Sequence, residues 1–299
     1  MSNDVGAEFA VTKRRIQGDG VELAVFERGQ GPTLLLVHGF PDTHAVWDAV
    51  AERLAVRFHV VTYDVRGAGD SSRPTDRDAY RFEHLVADMR AVLDTVSPRV
   101  PVHLAGHDWG SIQAWEALCA MPERFASYTS ISGPCLDHAA HWLRAGLRRP
   151  SGVRAAVRQL LHSWYIGAFQ IPVLPELVWR HGLARRWGGL LERSEGVTAG
   201  DHPAPTLAED AAAGVNLYRA NMLARRRTPG ARRTSVPTQV VVATGDAFVT
   251  PALAAEAARP FAERLQVRPV HAPHWVPLTQ PAEIARLIGE HITQAGSPP

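Results

Sequence analysis

Apolar residues gather in short unbroken runs separated by stretches with helical spacing. Thr33-Leu34-Leu35-Leu36-Val37, Phe58 to Tyr63 and Val102 to Ala105 are too short for helices, and they read as strands buried on both faces. Residues 8–28 alternate well enough for two antiparallel strands around a Gly18-Asp19-Gly20 turn. Thr43 is placed to cap a helix running through Leu54, with Val46, Trp47, Val50 and Leu54 on one face. Residues 82–96 make an amphipathic helix, and 126–131 close this half as a strand. The pattern then changes. From 133 to 233 strand alternation disappears, and Trp and Arg concentrate in helix-like stretches broken by Pro172, Pro175, Gly188-Gly189 and Pro203-Ala204-Pro205. After Pro237 the alternation resumes, with strands at 239–244 and 265–270 and helices at 251–263 and 281–294; residues 295–299 read as a frayed tail. Strands alternating with helices predict an α/β fold, a mostly parallel sheet covered on both faces. Residues 1–132 and 234–299 form that core, and 133–233 form an inserted helical cap.

Composition changes this picture little. A chain of 299 residues with 45% hydrophobic positions is long enough for a substantial core. No apolar run is long enough to span a bilayer, and the first fifteen residues lack the apolar centre of a signal peptide, so a cytoplasmic location is expected. Net charge of +2 gives no case for nucleic acid. Cys119 and Cys135 suggest neither a disulfide framework nor a metal site, and no cofactor is expected. Charge is uneven, however. Residues 134–233 hold fifteen arginines against seven acidic residues. Solvated helix faces account for that balance; attraction of an anionic substrate or an anionic lipid surface is the alternative.

Candidate chemistry centres on Gly106-His107-Asp108-Trp109-Gly110, between a predicted strand and the helical spacing of Ser111 to Ala120. Strand, glycine-bracketed corner and helix make a nucleophile elbow, whose central residue sits on a strained turn above the sheet. A serine is usual at its centre. Asp108 stands there instead, and a carboxylate suits displacement at an sp³ carbon, giving an alkyl-enzyme ester that water must then hydrolyse. That hydrolysis needs a base and an acid to orient it. Asp246 and His274 follow the last two predicted strands, in the order nucleophile, acid, histidine; His271 is a weaker competitor for the base. Backbone N–H groups of Trp109 and of Phe40, in the loop after strand 33–37, are the expected oxyanion donors.

His38-Gly39-Phe40-Pro41-Asp42, Tyr63-Asp64-Val65-Arg66-Gly67, Leu104-Ala105-Gly106-His107-Asp108-Trp109-Gly110 and Ala272-Pro273-His274-Trp275, in this order, resemble the α/β-hydrolase superfamily and within it the epoxide hydrolases. The resemblance covers essentially the whole chain. It implies an α/β-hydrolase fold and two cap tyrosines that hold the epoxide oxygen. Ser163-Trp164-Tyr165 and Asn216-Leu217-Tyr218-Arg219 are similar to the two segments that carry them, giving Tyr165 and Tyr218. It further implies an apolar pocket with Trp109, Trp164 and Trp275 against the substrate, and Trp142 and Trp179 as further cap aromatics. The partners implied are a small-molecule epoxide and water. Departures from the family pattern are Pro273 before the histidine, Ser111 after the elbow, and a short Thr244-Gly245-Asp246 turn. Asp64 and Arg66 read as architectural, and His107 as packing beneath the elbow. A haloalkane-dehalogenase-like hydrolase would share the Asp nucleophile, but Phe40 offers no side-chain donor for a halide. A non-catalytic ligand-binding homologue would have no need of Asp108, Asp246 and His274 together. Ser130 to His138 also looks like hydrolase domains fused to short-chain dehydrogenases, although no dinucleotide-binding fingerprint follows. Oligomeric state and the particular epoxide are left open.

Overall fold

The computed structural model describes residues 9–197 and 202–296. Eight strands form one sheet: β1 (Thr12–Gln17), β2 (Glu22–Arg28), β3 (Thr33–Val37), β4 (His59–Tyr63), β5 (Val102–His107), β6 (Phe125–Ile131), β7 (Thr238–Ala243) and β8 (Leu265–Val270). Their order across the sheet is β1-β2-β4-β3-β5-β6-β7-β8. The β1–β2 and β2–β4 pairs are antiparallel and the rest are parallel, which is the mostly parallel α/β sheet the strand runs predict.

Period-two geometry explains why the central strands are apolar throughout. Leu35 and Val37 of β3 face α2 (Phe82–Val96) and α3 (Trp109–Ala120), meeting Met89, Val92, Trp115 and Leu118. Leu34 and Leu36 face the other side, where α1 (Asp48–Leu54) and α12 (Pro281–Ala295) bring Val50, Leu54, Ile284 and Ile288. From β3 the chain steps to β4 on one side and later to β5 on the other. That reversal opens a crevice above the carboxyl ends of β3 and β5.

Between β6 and β7 the described chain is helical: α4 (Leu136–Leu147), α5 (Pro150–His162), α6 (Trp164–Ala168), α7 (Leu174–Val178), α8 (Ala184–Glu195) and α9 (Leu207–Arg227). These helices roof the crevice. Leu217, Tyr218 and Met222 of α9 pack with Tyr80, Phe82, Leu85, Trp109 and Ile112 of the core. Asn221 fixes the same contact, donating to the Tyr80 carbonyl and accepting from the Phe82 N–H at 2.9 and 3.0 Å.

Three sequence expectations need correction. The predicted helix 251–263 is only α10 (Pro251–Glu256), because Pro260 disfavours helical backbone at Arg259 and the following chain bridges Ala262 to Thr234. The segment capped by Thr43 begins as a 3-10 turn, His44–Trp47, before α1. Helix α12 reaches Ala295, so the tail is shorter than expected; residues 297–299 lie outside the described residues. A short helix α11 (Val276–Thr279), which the hydrophobic pattern does not reveal, follows the His274 turn.

Candidate active site

Asp108 ends β5 and begins α3 with φ 51° and ψ −124°. A non-glycine residue holds such a backbone only where its surroundings over-determine it. They do so by crowding. A Cβ added to Gly110 would lie 2.0 Å from the Val37 carbonyl oxygen, and one on Gly133 2.1 Å from that of Asp108. Ser111, a departure from the family pattern, is accommodated by hydrogen bonds. Its buried hydroxyl sits 2.7 Å from the Tyr128 hydroxyl and 2.8 Å from Ser130 Oγ, and donates to the Gly133 carbonyl at 2.6 Å.

The loop after β3 meets this corner. The Phe40 N–H donates to Asp108 Oδ1 at 2.7 Å, and the Trp109 N–H also reaches the carboxylate. Two backbone donors thus converge where negative charge resides. The loop owes its shape to Asp64, which accepts from the His44 and Asp70 N–H groups at 2.9 Å, and to His38, whose Nε2 accepts from the Val65 N–H at 3.0 Å.

His274 faces Asp108 from the turn after β8. Its Nε2 lies 3.7 Å from Asp108 Oδ2, and its Nδ1 lies 2.9 Å from Asp246 Oδ2. Asp246 is fixed in turn by the Phe248 and Val249 N–H groups, at 2.7 and 2.9 Å, so the short Thr244-Gly245-Asp246 turn still delivers the carboxylate. His271 points elsewhere and contacts Thr244 Oγ1. Beneath the site, His107 Nε2 donates to the His274 carbonyl at 2.9 Å; burial pushes its ring down to about 3, so it stays neutral.

Burial and charge oppose each other at this cluster. Burial alone would lower His274, but Asp246, Asp108 and Glu195 outweigh it and hold the imidazole up at about 9. Asp108 is raised by burial to about 6, against the pull of His274 and the two N–H groups. Burial also acts against Asp246, yet its contacts with His274 keep it below the ordinary carboxylate value. At neutral pH the resting pair is therefore an Asp108 carboxylate beside a protonated His274.

Tyr165 (α6) and Tyr218 (α9) hang from the roof, their rings edge-on at 5.9 Å. Burial raises both well above the ordinary phenol value, so both remain O–H donors. Two lobes flank Asp108 and share Tyr165, Tyr218 and Phe248 in their walls. The first, about 170 Å³, runs under Leu136, Ala140, Leu143 and Leu160; the second, about 250 Å³, runs past Phe169, Trp179, Leu183 and Trp187. Asp108 and both tyrosines line each lobe. Among the described residues the linings carry no arginine, lysine or glutamate, and Asp108 and His274 are their charged groups.

The tryptophans divide. Trp109 lines the first lobe and Trp275 the second, and the Trp275 Nε1–H donates to Asp42 at 3.0 Å. Trp179 is a buried wall of the second lobe. Trp164 stands at that lobe's rim with 73% of its surface exposed, and Trp142 lies outside both, donating to Glu256. Sequence reasoning overlooked Asp42, raised by burial to about 7, and Glu195, whose carboxylate accepts from the Trp275 N–H. It also overlooked Gln159. Gln159 accepts from the Thr250 N–H and hydroxyl at 2.8 Å and donates to the Phe248 carbonyl at 2.9 Å, tying α5 to the loop that carries Asp246. A lone Gln within an amphipathic helix gave no signal for this.

Known proteins provide the last observation. The family described as alpha/beta hydrolase fold matches residues 32–281. A probable oxidoreductase, EphD of Mycobacterium tuberculosis, is 39% identical over 283 residues, covering 90% of this chain and 47% of that protein. Epoxide hydrolase A of the same organism is 38% identical over 133 residues, covering 44% of this chain and 41% of that one. The chain thus spans about half the length, or less, of these curated relatives. Among solved structures, an inhibitor complex of a Bacillus megaterium epoxide hydrolase superposes with a TM-score of 0.79 at 22% identity, covering 94% of this chain and 100% of that one. Epoxide hydrolase VrEH1 of Vigna radiata superposes with a TM-score of 0.73 at 23% identity, covering 95% and 98%. At such identities the superpositions speak for the fold. Sheet, elbow and family match agree: the chain belongs to the alpha/beta hydrolase fold family.

Proposed function

We propose that this chain hydrolyses epoxides to vicinal diols through an ester on Asp108. One observation carries the reading: Asp108, Tyr165 and Tyr218 together line the same carbon-rich cavity lobes. Asp108 attacks a ring carbon, and that carbon's bond to oxygen breaks. The departing alkoxide takes a proton from one tyrosine while the other stays hydrogen-bonded to it. Forming the ester removes a carboxylate charge that holds His274 up, so the imidazole becomes easier to deprotonate just when a base is needed. His274 gives its resting proton to the tyrosinate; its neutral Nε2, oriented by Asp246, then takes a proton from water, and the hydroxide adds to the ester carbonyl. The oxyanion rests on the Phe40 and Trp109 N–H groups. Collapse releases the second alcohol, protonated by His274. The proton left on the Asp108 acid returns to His274 and restores the resting pair, so one water is consumed per diol. The relatives named as epoxide hydrolases support the same activity.

A dehalogenase reading would use the same Asp108 but needs N–H donors for the leaving halide. The nearby indoles are already engaged, Trp109 with Tyr218 and Trp275 with Asp42, which weighs against it. The test is mass spectrometry of His274→Gln mixed with a panel of aliphatic and aromatic epoxides. Addition of one epoxide mass on the peptide containing Asp108 supports the reading. No addition, together with no diol from wild type, overturns it, and alkyl halides would be tried next.

A further inference from the structure

The arginine excess of the insertion has a location that its sequence did not disclose. Residues 148–190 contain seven arginines and one acid, Glu176, which is already paired with Arg219. Arg154, Arg158, Arg185 and Arg186 point to solvent, and among the described residues no arginine of the insertion lines either lobe. These charges therefore address something outside the cavity.

Apolar side chains share that exterior. Twelve of the fifteen large apolar side chains left exposed among the described residues belong to the insertion. On α5, Val153, Val157 and Leu161 recur every four residues as one exposed stripe, with Arg154 and Arg158 beside it. Farther along the insertion Trp164, Ile171, Val173, Leu174, Leu177 and Val178 are exposed as well. Soluble surfaces scatter such residues singly, whereas a run of them marks an interaction face.

The face is held outward from within. Arg219 of α9 donates to the Phe169 and Ile171 carbonyls at 2.8 and 2.6 Å and grips Glu176, pinning the backbone beneath it. Val173, a β-branched residue, sits at its tip with φ 66°. Leu160, Ile166 and Gly167 line the first lobe while Leu161 and Trp164 face out, so cavity wall and exposed face are two sides of one segment.

We propose that this face docks on an anionic lipid surface, with apolar side chains entering the headgroup boundary and the arginines meeting lipid phosphates. Arginine-flanked apolar faces with a tryptophan bind bilayers in this way, by buried apolar area plus attraction to anionic headgroups. A neutral lobe lining behind such a face suits an apolar epoxide dissolved in the lipid. This last consequence, unlike the docking itself, rests on the proposed hydrolysis.

The experiment is flotation of the whole chain with vesicles of equimolar phosphatidylglycerol and phosphatidylcholine, against phosphatidylcholine alone. Preferential binding to the anionic vesicles that weakens with salt is expected. Leu174→Glu with Leu177→Glu should lower that binding at least tenfold at unchanged Tm, and Arg154→Glu with Arg158→Glu should remove its salt dependence. The Leu174/Leu177 pair should also raise KM for a long-chain epoxide held in vesicles, leaving kcat on a water-soluble epoxide unchanged. Absence of binding, equal binding to both vesicles, or variants that bind like wild type overturn the proposal. A concentration-dependent dimer dissolved by the Leu174/Leu177 pair, without vesicle binding, also overturns it and assigns the face to a second copy. Vesicle binding with no epoxide turnover leaves docking standing and overturns the hydrolysis.

Discussion

Core and insertion bury their polar groups differently. Below the crevice, Arg66 is sealed from solvent and donates to both Asp88 carboxylate oxygens at 2.7 Å and to the Asp19, Ala79 and His84 carbonyls. All three guanidinium nitrogens find acceptors, and the loop between β4 and α2 is fixed by them. Above the crevice, Arg180 meets Glu209 in water, and apolar side chains stand exposed. The core holds Asp108, Asp246 and His274 through backbone N–H donors and the His274–Asp246 hydrogen bond. The other half supplies Tyr165 and Tyr218 from helices that also face outward. On the proposed reaction, attack and hydrolysis fall to the core, and oxygen stabilisation to the insertion.

This division can be broken in order of effect. Asp108→Asn should lower diol formation by roughly 10³-fold or more with Tm unchanged, because the core alone supplies the attacking group. A residual rate within tenfold of wild type would move the nucleophile elsewhere. Arg66→Ala should cost about 3–5 kcal/mol in denaturant unfolding, since it leaves Asp88 buried and unpaired, whereas Arg180→Ala should stay within about 0.5 kcal/mol. Equal losses at the two sites would erase the contrast. Tyr165→Phe or Tyr218→Phe should each slow single-turnover ester formation about 10²-fold, with folding unaffected.

A smaller effect concerns pH. Asp108 attacks only when ionised, so ester formation should fall as pH drops through about 6. His274 lowers the Asp108 value; in His274→Gln that help is lost, and the acid limb should move to higher pH. A limb that stays put or moves down would show that the two charges do not interact. Smallest of all, Trp164→Ala should change turnover of a short, water-soluble epoxide less than threefold, as expected of a rim residue.

Much of the core was readable along the chain because each strand carries its own signal. Leu34 to Val37 are apolar on both faces, and Gly106 and Gly110 bracket Asp108 because the corner leaves no room for a Cβ. Strand ends and chain order point to Asp246 and His274, which lie 2.9 Å apart in the structure. The residues that escaped notice work through partners distant in sequence: Asp42 through Trp275, Gln159 through Thr250, and Arg219 through Ile171. The outward face was hidden for another reason. Ile171 to Val178 reads as core material by hydropathy, and only the tertiary packing reveals that these side chains face solvent. Trp164 and Trp179 look equivalent in sequence, yet one is a rim and the other a wall.

The roof is spliced into the sheet between β6 and β7, which are themselves hydrogen-bonded neighbours with Ile131 level with Val241. The excursion of about a hundred residues therefore leaves and re-enters the core between two adjacent strands. Loop-closure entropy grows only slowly with length, so little is lost if that excursion is shortened, lengthened or exchanged. The pairing of β6 with β7 can hold the same register whatever is grafted between them. Transplanting the helices of another such hydrolase at 133 and 233 should then alter which molecules are accepted while sparing the relation of Asp108 to His274.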